Sequence, residues 1–228
     1  MAAALAVGGS AYGTELVLDW VSPGSNPAGY YYVSPYTAQV KGTGQVLTLY
    51  CIDFNHEVAP PLEWNANLQS FEFANVGNMQ YGIGAASLPP IWLKYEAAAW
   101  LITQLSSPAN TNNLYQQDIY QYAAWQVFLY PSNASTFLGS ENAAGGSTFV
   151  TQVNNAYNDA FNAVKNGYVP VGWDVVTPDP AGTPGSTQEF LTPDPPAPTP
   201  EPASLILLAT VFGAVVLVVK KYKTRPEV

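Results

Sequence analysis

Short runs of alternating apolar and polar residues dominate the first part of the chain, the pattern of strands whose side chains point to opposite faces in turn. Residues 15–20 and 29–40 carry such runs, and Ser22-Pro23-Gly24-Ser25-Asn26-Pro27 between them is a turn cluster. Residues 45–54 (QVLTLYCIDF) predict a strand with Val46, Thr48, Tyr50, Ile52 and Phe54 on one face and Leu47, Leu49, Cys51 and Asp53 on the other. Both faces are largely apolar, which predicts a central place in the sheet. Residues 69–76 predict one more strand. The period then lengthens. Residues 91–105 predict a mostly buried helix, with Trp92, Tyr95, Ala99 and Ile102 on one stripe and Leu93, Ala97, Trp100 and Leu101 beside it. A second helix is predicted over 114–130, closed by Pro131, and a third over 148–166, with Val153, Tyr157, Phe161 and Val164 in line and Gly167 at its stop. The fold class implied is α+β: a sandwich- or barrel-like sheet layer over residues 14–176 with an inserted or appended helical group.

The ends are different in kind. Residues 1–13 are small and apolar and read as the back half of a signal peptide. The basic start of such a leader is missing, so either the true start lies upstream or this is an Ala-rich N-terminus. Residues 177–202 contain nine prolines, a composition that favours extended polyproline II and predicts a spacer without sheet pairing, its linker part covering 177–199. Residues 203–219 (ASLILLATVFGAVVLVV) carry no charge and would span roughly 25 Å as a helix, the short limit for a bilayer core. Lys220, Lys221, Lys223 and Arg225 follow at once, which predicts a cytoplasmic stop with the body outside. Pro200-Glu201-Pro202 directly before an apolar span and a basic tail resembles the PEP-CTERM sorting signal, here residues 200–228. The resemblance implies recognition by an exosortase in the inner membrane of a Gram-negative-type bacterium, cleavage near the motif, and release or transfer of the body to the cell surface alongside exopolysaccharide. An ordinary single-span anchor with a chance Pro-Glu-Pro is the plain alternative.

Charge narrows the choice of partners. The net charge is −9, and the first 219 residues hold 15 acids against three lysines and no arginine. Nucleic-acid binding needs a basic footprint that this body lacks. A single cysteine, Cys51, excludes an internal disulfide, and with a single histidine, His56, it offers no zinc cluster; no cofactor is implied.

Two readings of Cys51 stand. It is a small hydrophobe buried in a strand, or it is chemical. Three patterns point to chemistry: Leu49-Tyr50-Cys51-Ile52-Asp53, the helix Ala97-Ala98-Ala99-Trp100-Leu101-Ile102, and Gln121-Tyr122-Ala123-Ala124-Trp125 on the next helix. Together, over about residues 45–130, they resemble the thioester domains of bacterial surface adhesins. Tyr120 stands where that family often has Thr, and Ala124 where it often has Ile or Val. The resemblance implies that Cys51 and Gln121 join as an internal thioester, which an amine on a target opens to leave a covalent amide. Helix spacing puts Asp118, Trp125 and Phe128 on the face of Gln121, so an amide and an apolar shield reach the strand together. Asp53 either orients a group at the site or caps a turn; Trp100 and Trp125 either fill the core or wall the site; His56 reads as a loop residue. The scarcity of lysine suits a body that carries a reactive acyl group, and equally an exported acidic protein. The leading expectation is an exported adhesion or biofilm-matrix module that acts once per molecule and is not a turnover enzyme, with amine-bearing surface targets as partners. The alternative is a non-covalent structural or carbohydrate-binding protein of the exopolysaccharide matrix with an inert Cys51. A Cys-dependent hydrolase is a third, weaker idea.

Overall fold

The computed structural model describes residues 14–22, 31–56, 63–129, 131–181 and 187–194. The chain falls into two compact units, Met1–Pro193 and Asp194–Val228, and every element below belongs to the first. Six antiparallel strands, β1 (Thr14–Ser22), β2 (Tyr36–Val40), β3 (Val46–Cys51), β4 (Glu63–Ser70), β5 (Trp173–Pro178) and β6 (Phe190–Pro193), close into a barrel in the order β1-β2-β3-β6-β5-β4. Closure pairs both sides of every strand and leaves no open edge. Three helices, α1 (Leu88–Leu105), α2 (Leu114–Phe128) and α3 (Pro131–Lys165), are inserted between β4 and β5 behind a 3-10 turn at Phe73–Asn78. The α+β class and the barrel-like sheet expected from the pattern are both present.

Register decides which side chains share the interior. Tyr36 stands opposite Leu49, and Cys51 opposite Phe190, so by the two-residue period Leu49 and Cys51 lie on one face of β3 with Tyr36 and Phe190. That face is the filled one. The Phe190 ring meets Tyr36 edge-on at 5.9 Å and Trp64 at 6.2 Å, joining β6, β2 and β4 across the barrel. On the other face Tyr50 packs edge-on against Trp173 at 5.5 Å, and the Trp173 indole donates to Thr103 of α1 at 3.1 Å. α1 therefore meets this flank of the barrel. Alanines 97–99 and 123–124, all fully buried, let α1 and α2 lie close together. Asn113 caps α2 through its side chain, which accepts from the Gln116 amide.

Several elements differ from the expectation. β3 stops at Cys51, so Asp53 does not continue its face. Residues 69–76 are split: β4 begins earlier, at Glu63, and Phe73–Asn78 coils into a 3-10 turn rather than a strand. The turn runs into a close approach at Gly82, where a Cβ would stand 1.7 Å from the Val76 carbonyl oxygen. α1 starts at Leu88 because Pro89 and Pro90 fit the first helical turn, where no amide partner is needed. Pro131 opens α3 as well as closing the helix before it, and the predicted third helix is the part of α3 that follows the break at Gly146 (φ 71°, ψ 179°).

The largest difference is at the Pro-rich stretch. β5 runs through Thr177 and Pro178 opposite Asn67 and Ala66, and β6 occupies Phe190–Pro193, so the body extends to Pro193 and a spacer cannot begin at 177. Pro178 and Pro193 sit at strand ends, where a missing amide costs little. The leader 1–13, the sorting motif Pro200-Glu201-Pro202, the span 203–219 and the basic stop lie outside the described residues. Among the described residues no helix is long and apolar enough to cross a membrane.

Candidate functional site

The end of β3 carries two buried polar clusters, each built on a residue that the sequence singled out. The first joins β3 to α2. Cys51 and Gln121 are both fully buried, at 0% exposure. The Gln121 carboxamide lies against the Cys51 backbone: Nε2 donates to the Cys51 carbonyl at 2.7 Å, and Oε1 accepts from the Ser34 amide at 3.1 Å. A carbonyl on one side and an N–H on the other fix which end of the amide is which. Ser34 holds the strand too, its hydroxyl accepting from the Cys51 amide at 2.8 Å. The sulfur is held from both directions. Trp125 Nε1 donates to Sγ at 3.3 Å, and the thiol donates to the Asp53 carbonyl at 3.1 Å. Trp125 follows Gln121 by one helical turn, which is why both reach the same strand end.

Rings close this cluster. Trp125 packs against Phe54 at 5.1 Å and Tyr122 at 5.1 Å, and Tyr31 stands edge-on to Phe54 at 4.9 Å, Trp125 at 6.2 Å and Tyr122 at 6.4 Å. In this dry setting burial, reinforced by the charge of Asp53, pushes the Cys51 thiol far above its ordinary range; the Trp125 hydrogen bond offsets part of that. The sulfur is a protonated thiol.

The second cluster takes the Asp53 carboxylate, which turns away from the first. Oδ1 accepts from Tyr81 OH at 2.5 Å and from the Asn55 amide at 2.9 Å; Oδ2 accepts from Gln80 Nε2 at 2.5 Å and stands 2.6 Å from His56 Nδ1. Gln80 links onward, its backbone N–H donating to Glu189 Oε1 at 2.8 Å. Thr177 donates to the same oxygen at 2.7 Å, and Tyr95 OH donates to Oε2. The bond to Asp53 raises the pKa of His56, while burial pushes the Glu189 carboxyl up to about 7. Glu189 also sits beside β3, its carbonyl accepting from the Ile52 amide at 3.2 Å.

The residues named from sequence thus divide. Cys51, Gln121 and Trp125 are together. Asp53 reaches the sulfur only through its backbone and spends its carboxylate on the second cluster. Asp118 is buried on α2 one turn before Gln121, and Trp100 is half-buried on α1 against the core. Ser34, Tyr31, Gln80 and Glu189 were not singled out. Ser34 and Tyr31 fall within the run 29–40 that predicted a strand, but β2 begins only at Tyr36 and both lie in irregular backbone before it. Glu189 stands in a Pro-rich setting, beside the short apolar pair Phe190-Leu191 that was its one clue. Among the described residues no group of three or more His, Cys, Asp or Glu is placed to hold a metal ion. Comparison with family models, curated proteins and solved structures finds no match.

Proposed function

We propose that this chain is an exported attachment module whose Cys51 and Gln121 condense to an internal thioester that captures amines. The observation that supports this most is the held carboxamide: two fully buried groups, 70 positions apart in sequence, with the amide bonded to the cysteine's own backbone. In the forming reaction Cys51 Sγ attacks Gln121 Cδ. The C–S bond forms, the C–Nε2 bond breaks, and the thiol proton leaves with the nitrogen as ammonia. The Ser34 N–H on Oε1 polarises the carbonyl where negative charge develops, and Trp125 Nε1–H faces the sulfur. Since the thiol is protonated, transfer of its proton to the departing nitrogen accompanies the attack. The shield of rings then protects the product from water. A primary amine opens it: C–N forms, C–S breaks, and Cys51 regains a proton from the amine. The resemblance of the Pro-Glu-Pro motif, apolar span and basic tail to a PEP-CTERM signal supports a precursor in the inner membrane that an exosortase processes, with the body outside the cytoplasm.

The test is the intact mass of the purified protein with and without methylamine. A mass short by one ammonia, which rises by the mass of one methylamine on treatment, is the expected result. Cys51→Ala should abolish both. A full-mass protein that takes up no amine overturns the reading.

One observation favours the non-covalent alternative. α2 and α3 form a shallow concavity of about 180 Å³ lined by Gln116, Tyr120, Gln152, Asn155 and Asp159, amides and a ring suited to a sugar's hydroxyls and face. Calorimetric binding of matrix polysaccharide, lost in Gln152→Ala with Cys51 unmodified, would favour it.

A further inference from the structure

Cys51 and Gln121 have no exposed surface, so nothing dissolved can reach them without a movement. The rings around the sulfur differ in one respect. Tyr122 and Trp125 are buried and Phe54 is half-buried, whereas Tyr31 is 38% exposed. Tyr31 is therefore the member of the cluster with one side in water and the other on the Trp125 indole that bonds to the sulfur. Its ring contacts among the described residues are edge-on, each worth on the order of 1 kcal/mol. Its backbone neighbour Ser34, three residues on, is tied to both Cys51 and Gln121, so the ring can swing while the pair stays held.

We infer that the Tyr31 ring is a gate over the Cys51–Gln121 pair, and that its outward swing is what admits a reactant. The opening so made is walled by Phe54, Tyr122 and Trp125. Such a slot accepts a slender primary alkylamine, such as a lysine side chain: an apolar stem between ring faces and a cationic head drawn in by the rings and by the acidic body. A branched amine needs a wider swing of Tyr31 than a linear one. The identity of the reacting bond rests on the proposed thioester; the gate itself does not.

The experiment separates the two. Full-length protein is treated with methylamine, after which Cys51 is a free thiol whether or not a thioester was present before. Its alkylation by iodoacetamide is then timed by mass spectrometry. Tyr31→Ala should raise the rate about tenfold or more, since local opening no longer has to displace a ring. Tyr31→Phe, which keeps the ring, should match the wild type, as should Tyr32→Ala, at the neighbouring and more exposed tyrosine. Where Tyr31→Ala loses its near-ultraviolet circular dichroism, Tyr31→Leu replaces it and should still accelerate. An unchanged rate in a folded Tyr31 variant overturns the gate, as does an equal acceleration by Tyr32→Ala, which would mark general loosening. If the thioester is present, methylamine should react faster than isopropylamine in the wild type, and Tyr31→Ala should narrow the difference. Absence of the ammonia-loss mass sinks the thioester alone and leaves the alkylation result standing.

Discussion

Cys51 and Asp53 stand two residues apart at the end of β3, yet their side chains enter clusters of opposite character. Around Cys51 every group is neutral: a thiol, a carboxamide, a hydroxyl, an indole and backbone, with donors matched to acceptors. Around Asp53 two carboxyl groups and an imidazole share tyrosines and one glutamine. The first cluster can be sealed from water at little electrostatic cost and kept ready for chemistry. The second joins the β3 end to the 3-10 turn, α1 and β6, and its stability follows protonation. One strand end thus both holds the buried sulfur and anchors the backbone that carries it.

Swapping the character of each cluster tests that division. Gln121→Glu places a carboxylate against the Cys51 carbonyl, leaving a buried charge with no counter-charge; it should cost about 3–5 kcal/mol at pH 8. The new acid's folded pKa is raised, so the loss should shrink at pH 5, as urea unfolding at the two pH values would show. Amine uptake should vanish because no ammonia remains to be expelled. Glu189→Gln makes the opposite change. Glu189 rises from 4.5 to about 7 on folding. Its contribution is thus fully present below pH 4.5 and lost as pH climbs to about 7, a fall of about 3 kcal/mol. The variant should flatten that slope in thermal melts from pH 4 to 8 and be the more stable protein at pH 8. Ser34→Ala removes the acceptor of the Cys51 amide and should cost about 1–3 kcal/mol by chemical denaturation. It keeps the Ser34 N–H on Gln121, so amine uptake should persist. His56→Ala acts at a partly exposed pair and should change stability by less than about 1 kcal/mol. The raised His56 pKa places its contribution below about pH 6.5, to be lost as pH climbs through the folded value; the variant's deficit should therefore be seen at pH 5.5 and fade by pH 8.

What could be read from the sequence follows physical range. The helix spacing placed Gln121 and Trp125 one turn apart, and the two-residue alternation of residues 45–51 assigned Leu49 and Cys51 to one face, as the register has them. Those are local periodicities. That Gln121 lies against the Cys51 backbone was reached through motifs, because no local pattern encodes a contact 70 residues away. Composition misled at the C-terminal side of the body. Prolines at 178 and 193 mark strand ends, and averaged over the stretch they hid β5 and β6, whose pairing depends on β4 and β3 far upstream. Asp53 was placed by extending the strand to Phe54, three residues too far; the chain turns after Cys51, and the Asp53 carboxylate goes to Tyr81, Gln80 and His56 instead.

The position of β6 between β3 and β5 sets an order of events. A chain made from its N-terminus offers Cys51 and Gln121 long before Phe190, the residue opposite Cys51, has been synthesised. Until then the barrel has a gap beside the sulfur, and Glu189 has not yet arrived to bind Gln80 and Tyr95. The final strand works as a latch: the pocket comes into being only when nearly the whole body has been made, so a half-made molecule carries Cys51 and Gln121 without the walls that bury them.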